Sequence, residues 1–162
     1  MASSSAQEQQ RRNKQVVRQY FEAYVRQDTE RIGQLVSSSN YTFHLSGMPS
    51  PMDWNATKKF YTAAWSAFPD LHHDILDIVT EGEDKVAVHY NIIGTHKGEL
   101  QGIPPTGKEV SFGAMDFITL IDGKVAEEWE IADTMGLMQQ IGAIPSAPPS
   151  ADSRSSNTAS SW

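Results

Sequence analysis

From Gln9 to Arg26 the apolar positions Val17, Tyr20, Phe21, Tyr24 and Val25 recur at intervals of three and four, which predicts an amphipathic helix. Asp28 is placed to cap a second, shorter helix that buries Ile32, Leu35 and Val36. A short strand is expected in "NYTFHLS" at 40–46, followed by a loop containing Gly47, Pro49 and Pro51. Between Asn55 and Phe68 a stripe of Phe60, Tyr61, Ala64, Trp65 and Phe68 predicts a third helix, which Pro69 ends. Strand-like runs follow at about 71–80, 85–96, 108–121 and 124–132, divided by turns at "EGED", "GIPPTGK" and "DGK". A closing helix starts at Thr134. Helices first, then an antiparallel meander, then one helix is the order of an α+β domain with its helices packed on one side of a curved sheet and a cavity between the two layers.

Period-two alternation sorts the strand residues into faces. Val86, Val88, Tyr90 and Ile92 share one face of their strand, opposite Ala87, His89 and Asn91. In the next strand Phe112, Ala114, Asp116, Ile118 and Leu120 alternate with Ser111, Gly113, Met115, Phe117 and Thr119, so both faces carry apolar groups. A homodimer partner is the simplest cover for the second face. Counting in twos through the last strand places Val125, Glu127, Trp129, Ile131 and Asp133 together, with Ala126, Glu128, Glu130 and Ala132 opposite. Because Trp129 and Ile131 look like interior residues, Asp133 is expected to face the interior. A carboxyl group there has its pKa raised towards a range where it can both take and give a proton. The alternative is that Asp133 caps the helix beginning at Thr134.

Length and composition narrow the class. The 162 residues carry a net charge of -7, enough for one domain and unfavourable for binding nucleic acid. The ends, 1–8 and the Pro/Ser-rich 145–162, read as disordered tails around a domain at 9–144. There is no cysteine, which excludes disulfides, thiolate nucleophiles and Cys-ligated zinc and fits a reducing, cytoplasmic location. No apolar stretch is long enough to span a membrane, and "MASSSAQEQQRRNKQ" lacks the apolar middle of a secretory signal. No spacing matches a metal site, and no cofactor is expected.

Six pieces of sequence in order resemble the SnoaL-like polyketide cyclases, or ester cyclases, of the nuclear transport factor 2-like superfamily. They are "YFEAYVRQD" at 20–28, "FPDLH" at 68–72, "GTHKGE" at 94–99, "GIPPTGK" at 102–108, "DGKVAEEW" at 122–129 and "DTMGLMQQIG" at 133–142. The resemblance implies a cone-shaped, curved antiparallel sheet with N-terminal helices over its concave face and a short C-terminal helix. It also implies a cofactor-independent cyclase or isomerase closing a ring by an aldol-type step on a polyketide- or terpenoid-like carbonyl substrate. In characterised members the Asp that opens the last helix is the acid/base, and the matching position here is Asp133. The best-known cyclase of the group has a His where this chain has Asp116 and a Gln where it has Ala114, so that enzyme's substrate does not carry over.

An aldol closure needs a base for the α-proton, a donor for the enolate oxygen and an acid for the new alkoxide. If Asp116 and Asp133 share a pocket, one proton stays between them: protonated Asp116 holds the enolate while ionised Asp133 takes the proton. Asp116 is equally readable as a buried structural acid. His44, beside the Gly47 to Pro51 loop, is a candidate second acid or a hydrogen-bonded wall residue. His72 and His73 are adjacent, so they point to opposite faces and make no ligand pair; His96 fits a turn-fixing role. Tyr24, Phe43, Tyr61, Trp65, Phe68, Tyr90 and Trp129 would suit a flat apolar substrate, although most such residues are simply core. Two other functions on the same fold are an epoxide or ester hydrolase and a non-catalytic small-molecule-binding module.

Overall fold

The computed structural model describes residues 4–146. Three N-terminal helices, α1 (Ser4–Val25), α2 (Thr29–Leu35) and α3 (Trp54–Ala67), flank the short strand β1 (Thr42–Leu45). The long strands β2 (His72–Glu81), β3 (Lys85–Thr95), β4 (Glu109–Ile121) and β5 (Lys124–Ala132) then lead into α4 (Thr134–Gln140). Residues 4–8, expected in a disordered tail, are the first turns of α1, where Glu8 pairs with Arg11 at 2.6 Å and Arg12 at 3.1 Å, one helical turn away. The C-terminal tail from 147 onward lies outside the described residues.

The helix starts follow local chemistry. Asp28 accepts a hydrogen bond from Arg31 N (2.9 Å) and Asp53 from Ala56 N (2.8 Å), each satisfying an amide that the first helical turn leaves unpaired. The apolar stripe of α1, Val17, Tyr20, Phe21 and Tyr24, is buried against the sheet. Asn13 fixes the other end of α1 by donating from Nδ2 to the carbonyl of Glu83 in the β2–β3 turn (2.8 Å).

The sheet runs β1-β5-β4-β3-β2. It is curved, open and mixed rather than wholly antiparallel, because β1 pairs parallel to β5. The "DG" turn between β4 and β5 has positive φ at both Asp122 (50°) and Gly123 (71°), the conformation whose twist matches a two-residue hairpin. Concave-face residues form rows across the strands: Phe43, Glu128, Ile118 and Val86; then Leu45, Glu130, Asp116 and Val88; then Ala132, Ala114, Tyr90 and Ile75; then Phe112, Ile92 and His73. The helices close over these rows and leave a cavity.

The last strand departs from simple alternation. Thr119 pairs with Glu127 but Leu120 pairs with Val125, so Ala126 is an extra residue in β5. Val125 and Ala126 are both buried. Beyond this bulge the parity is reversed. Glu128, Glu130 and Ala132 turn inward, whereas Trp129 (52% exposed) and Ile131 (65%) lie on the outer face.

Candidate active site

The concave face carries a cavity of about 340 Å³. Tyr20, Phe21 and Tyr24 of α1 and Phe60, Tyr61 and Ala64 of α3 form its roof, and Phe68 and Leu71 continue the wall. The sheet contributes His73, Tyr90, Ile92, Phe112, Asp116, Glu128, Glu130 and Ala132. The mouth lies between the β3–β4 loop, through Glu99, Leu100 and Gln101, and α4, through Thr134, Leu137 and Met138. Most of the lining is apolar or aromatic, so a ligand is held by buried area, with a few polar groups fixing its orientation.

Three acids stand on the cavity floor. Asp116 and Glu130 are direct cross-strand partners, and Glu128 sits one inward position along β5, between Phe43 and Ile118. Asp116 and Glu128 are almost wholly buried, at 2% and 1% exposed, while Glu130 is half-buried. Burial disfavours each carboxylate, and their mutual repulsion adds to it. Asp116 is pushed well up by burial and then by the charges of Glu128 and Glu130. Burial pushes Glu128 up to about 8, opposed by the nearby phenols of Tyr20 and Tyr41, the second of which donates to it. Burial also raises Glu130, to about 7, with Tyr90 opposing. The cluster therefore holds protons at neutral pH and titrates as a unit. Asp116 Oδ1 is buried without a hydrogen-bond partner.

On the wall formed by β2, His73 stacks on Tyr24 (centroids 4.9 Å apart, planes 10° apart) and meets Phe21 and Tyr90 edge to face. Burial pushes its pKa down to about 4, so it is a neutral imidazole, and its Nδ1 is unpartnered. Among the described residues no group of three or more His, Cys, Asp or Glu side chains is arranged to hold a metal ion.

The expected site residues divide. Asp116, Tyr24, Tyr61, Phe68 and Tyr90 line the cavity. Phe43 and Trp65 are buried behind its wall. Trp129 and His44 lie outside it and stack on each other (3.6 Å, 3°), with His44 Nε2 3.3 Å from Glu127. The expected interior placement of Asp133 is corrected by the bulge: its exposed carboxylate accepts from Gly136 N at 2.8 Å and caps α4. Asp133→Asn, which retains a capping oxygen, is expected to change stability by only a few tenths of a kcal/mol, whereas Asp133→Ala should lose about 1 kcal/mol in urea unfolding. His96 has a turn-fixing contact set: it is fully buried and its Nδ1 lies 3.0 Å from Thr106 Oγ1 and 3.3 Å from Thr106 N. Parity missed Glu128 and Glu130. The one local sign of the bulge was the adjacent apolar pair Val125–Ala126, two successive residues that cannot both be buried by regular alternation.

The model of the SnoaL-like polyketide cyclase family matches residues 14–141, and the chain belongs to that family. Among solved structures, AclR from Streptomyces galilaeus, for which a hydroxylase activity has been suggested, is 28% identical over 85% of each chain with a TM-score of 0.76. IdmH from Streptomyces antibioticus, suggested to be a polyketide cyclase, is 27% identical over 80% of this chain and 98% of its own, with a TM-score of 0.73. A SnoaL-like protein from Jannaschia sp. CCS1 shares the fold at 23% identity and a TM-score of 0.76, covering 84% of this chain and 95% of its own. No curated protein matches the chain. No helix among the described residues is long and apolar enough to cross a membrane.

Proposed function

We propose that this protein is a cofactor-independent cyclase that closes a ring in a polyketide-like carbonyl compound, with the acid/base work carried by Glu130 and Asp116 rather than by Asp133. The observation that carries this reading is the pairing of Glu130 and Asp116 across β5 and β4 on the floor of an aromatic cavity. Ionised Glu130 removes a proton α to a carbonyl, and that C–H electron pair becomes the enolate. Asp116, still protonated, donates a hydrogen bond to the enolate oxygen from a carboxyl whose Oδ1 has no partner in the protein. The enolate carbon attacks a second carbonyl of the same molecule, and the resulting alkoxide takes the proton back from Glu130. Product and substrate are isomers, so no oxidant or metal enters the balance.

Deuterium exchange into the α-position of a β-diketone, run in labelled water, tests the first step directly. Exchange that depends on Glu130 supports the proposal, and no exchange above the buffer rate overturns it. A second reading, hydroxylation, is favoured by the similarity to AclR. It predicts solvent or molecular oxygen in the product, which ring closure does not.

The outer face supports the expected homodimer. Phe117 pairs with Trp129 and Met115 with Ile131 across β4 and β5, and all four are more than half exposed, at 58%, 52%, 51% and 65% respectively. Such a contiguous apolar patch is unusual on a monomer. Phe117→Glu is expected to convert a dimer to a monomer in sedimentation equilibrium; a wild-type monomer would remove the dimer from this proposal.

A further inference from the structure

Glu128 has no part in the ring closure above, yet it is the most buried of the three acids and ends a chain of phenols. Tyr41 Oη lies 3.1 Å from Glu128 Oε1, Tyr20 Oη lies 3.2 Å from Tyr41 Oη, and Tyr61 Oη lies 2.7 Å from Tyr20 Oη. These residues come from α1 (Tyr20), α3 (Tyr61), the segment before β1 (Tyr41) and β5 (Glu128), so the fold converges four elements on one line of hydroxyls. Tyr20 and Tyr61 line the cavity, whereas Tyr41 does not.

Each phenol has one hydrogen, so the chain has only two fully bonded directions. With Glu128 ionised, Tyr41 donates to it, Tyr20 donates to Tyr41 and Tyr61 donates to Tyr20. The hydrogen of Tyr61 is then consumed inside the protein. With Glu128 protonated, Glu128 donates to Tyr41, Tyr41 to Tyr20 and Tyr20 to Tyr61. The hydrogen of Tyr61 is then free to point outward. Each bond in such a chain polarises the next, so the two directions exchange as a unit.

We propose that this relay sets a hydrogen-bond donor at Tyr61 for a carbonyl oxygen of the substrate, with Glu128, Tyr41 and Tyr20 as positioning residues. This rests on the cyclase reading and deepens it. An aldol closure has two oxygens that gain charge; Asp116 serves the enolate, and Tyr61 serves the carbonyl that becomes the alkoxide. Tyr61 itself does not lose its proton, since burial holds its phenol well above its ordinary value, as it does for Tyr20. The groups that set the state of Glu128 are Tyr20 from α1, Tyr41 from the β1 approach, and Glu130 beside it on β5, with Asp116 coupled to it from β4. Burial raises Glu128, so the outward direction is the one populated at neutral pH.

The probe is 2-acetylnaphthalene carrying a ¹³C-labelled carbonyl, whose stretching frequency reports donation to its oxygen. Tyr41→Phe is the informative variant, because it breaks the relay from outside the cavity. With Tyr41 gone, Tyr20 still donates to Tyr61, so Tyr41→Phe is expected to keep probe binding at pH 6 and to lose the weakening that the wild type shows above pH 8. Tyr61→Phe, by contrast, should weaken binding about tenfold at pH 6, the equivalent of one hydrogen bond, and shift the carbonyl stretch upward. Glu128→Gln, whose neutral amide cannot ionise, should keep binding at pH 6 and lose the weakening that the wild type shows above pH 8. Glu130→Gln should retain that weakening. If Tyr61→Phe leaves affinity and carbonyl frequency unchanged, or Tyr41→Phe keeps the wild-type weakening above pH 8, both folded by circular dichroism, the relay is wrong. Failure of the wild type to bind the ketone would count against the cavity reading instead, and the relay would be decided in the free protein. There the Tyr61 ¹³Cζ resonance must titrate with Glu128 and stop doing so in Tyr20→Phe; a Tyr61 signal indifferent to both overturns the proposal.

Discussion

Glu130→Gln is expected to lower turnover by about 10²- to 10⁴-fold while making the protein more stable at alkaline pH. The first effect is the contribution of a positioned general base. The second follows from proton linkage. Glu130 is raised from 4.5 to about 7 in the native state. Between those values the folded protein holds a proton that the unfolded chain has released, so stability falls as pH rises through this window and levels off above about 7. Glutamine carries no such dependence. The variant should match the wild type below about pH 4.5 and exceed it by roughly 3 to 4 kcal/mol above pH 7, the worth of a shift of this size. Urea unfolding at pH 5 and pH 8.5 measures the difference. A residue that costs stability and is retained for chemistry should give this opposed pair of results. If Glu130→Gln kept full activity, or lost stability at pH 8.5, Glu130 would not be a strained catalytic acid.

Gly98→Ala should be the most damaging small substitution in the fold. A Cβ at Gly98 would run into the backbone carbonyl of Ser66 and stand 3.2 Å from Ala67 Cα, and neither neighbour can rotate away. The close approach exists because Lys97 N and Gly98 N both donate to Ala67 O at 3.0 Å, tying the β3–β4 loop to the end of α3. Adding the methyl group forces the loop off this anchor, at an expected cost of about 2–4 kcal/mol in urea unfolding at unchanged m-value. The next residues, Glu99, Leu100 and Gln101, form the cavity mouth. Ligand affinity should therefore fall together with stability. A Gly98→Ala variant within 0.5 kcal/mol of the wild type, a threshold typical of neutral surface changes, would show that the loop is not anchored there.

Much of the architecture was legible because it depends on local periodicity and capping. The stripe of α1, the cap Asp28, the "DG" turn and the shared face of Phe112, Ala114, Asp116 and Ile118 each follow from residues a few positions apart. The parallel pairing of β1 with β5 did not, because it joins segments more than eighty residues apart with no shared turn to set their direction.

For the candidate site the division falls at one residue. The sequence by itself determined an α+β domain with an aromatic cavity and set Asp116 on one strand face with Phe112, Ala114 and Ile118. Only the tertiary structure decided which carboxylates face the cavity. The extra residue Ala126 is accommodated in the pairing of β5 with β4, and a register shift of one exchanges the two faces of everything after it. Glu128 and Glu130 were thereby brought beside Asp116, Trp129 and Ile131 were sent to the outer face, and Asp133 was left to cap α4. A strand's alternation is fixed locally, but its phase is set by the neighbour to which it bonds.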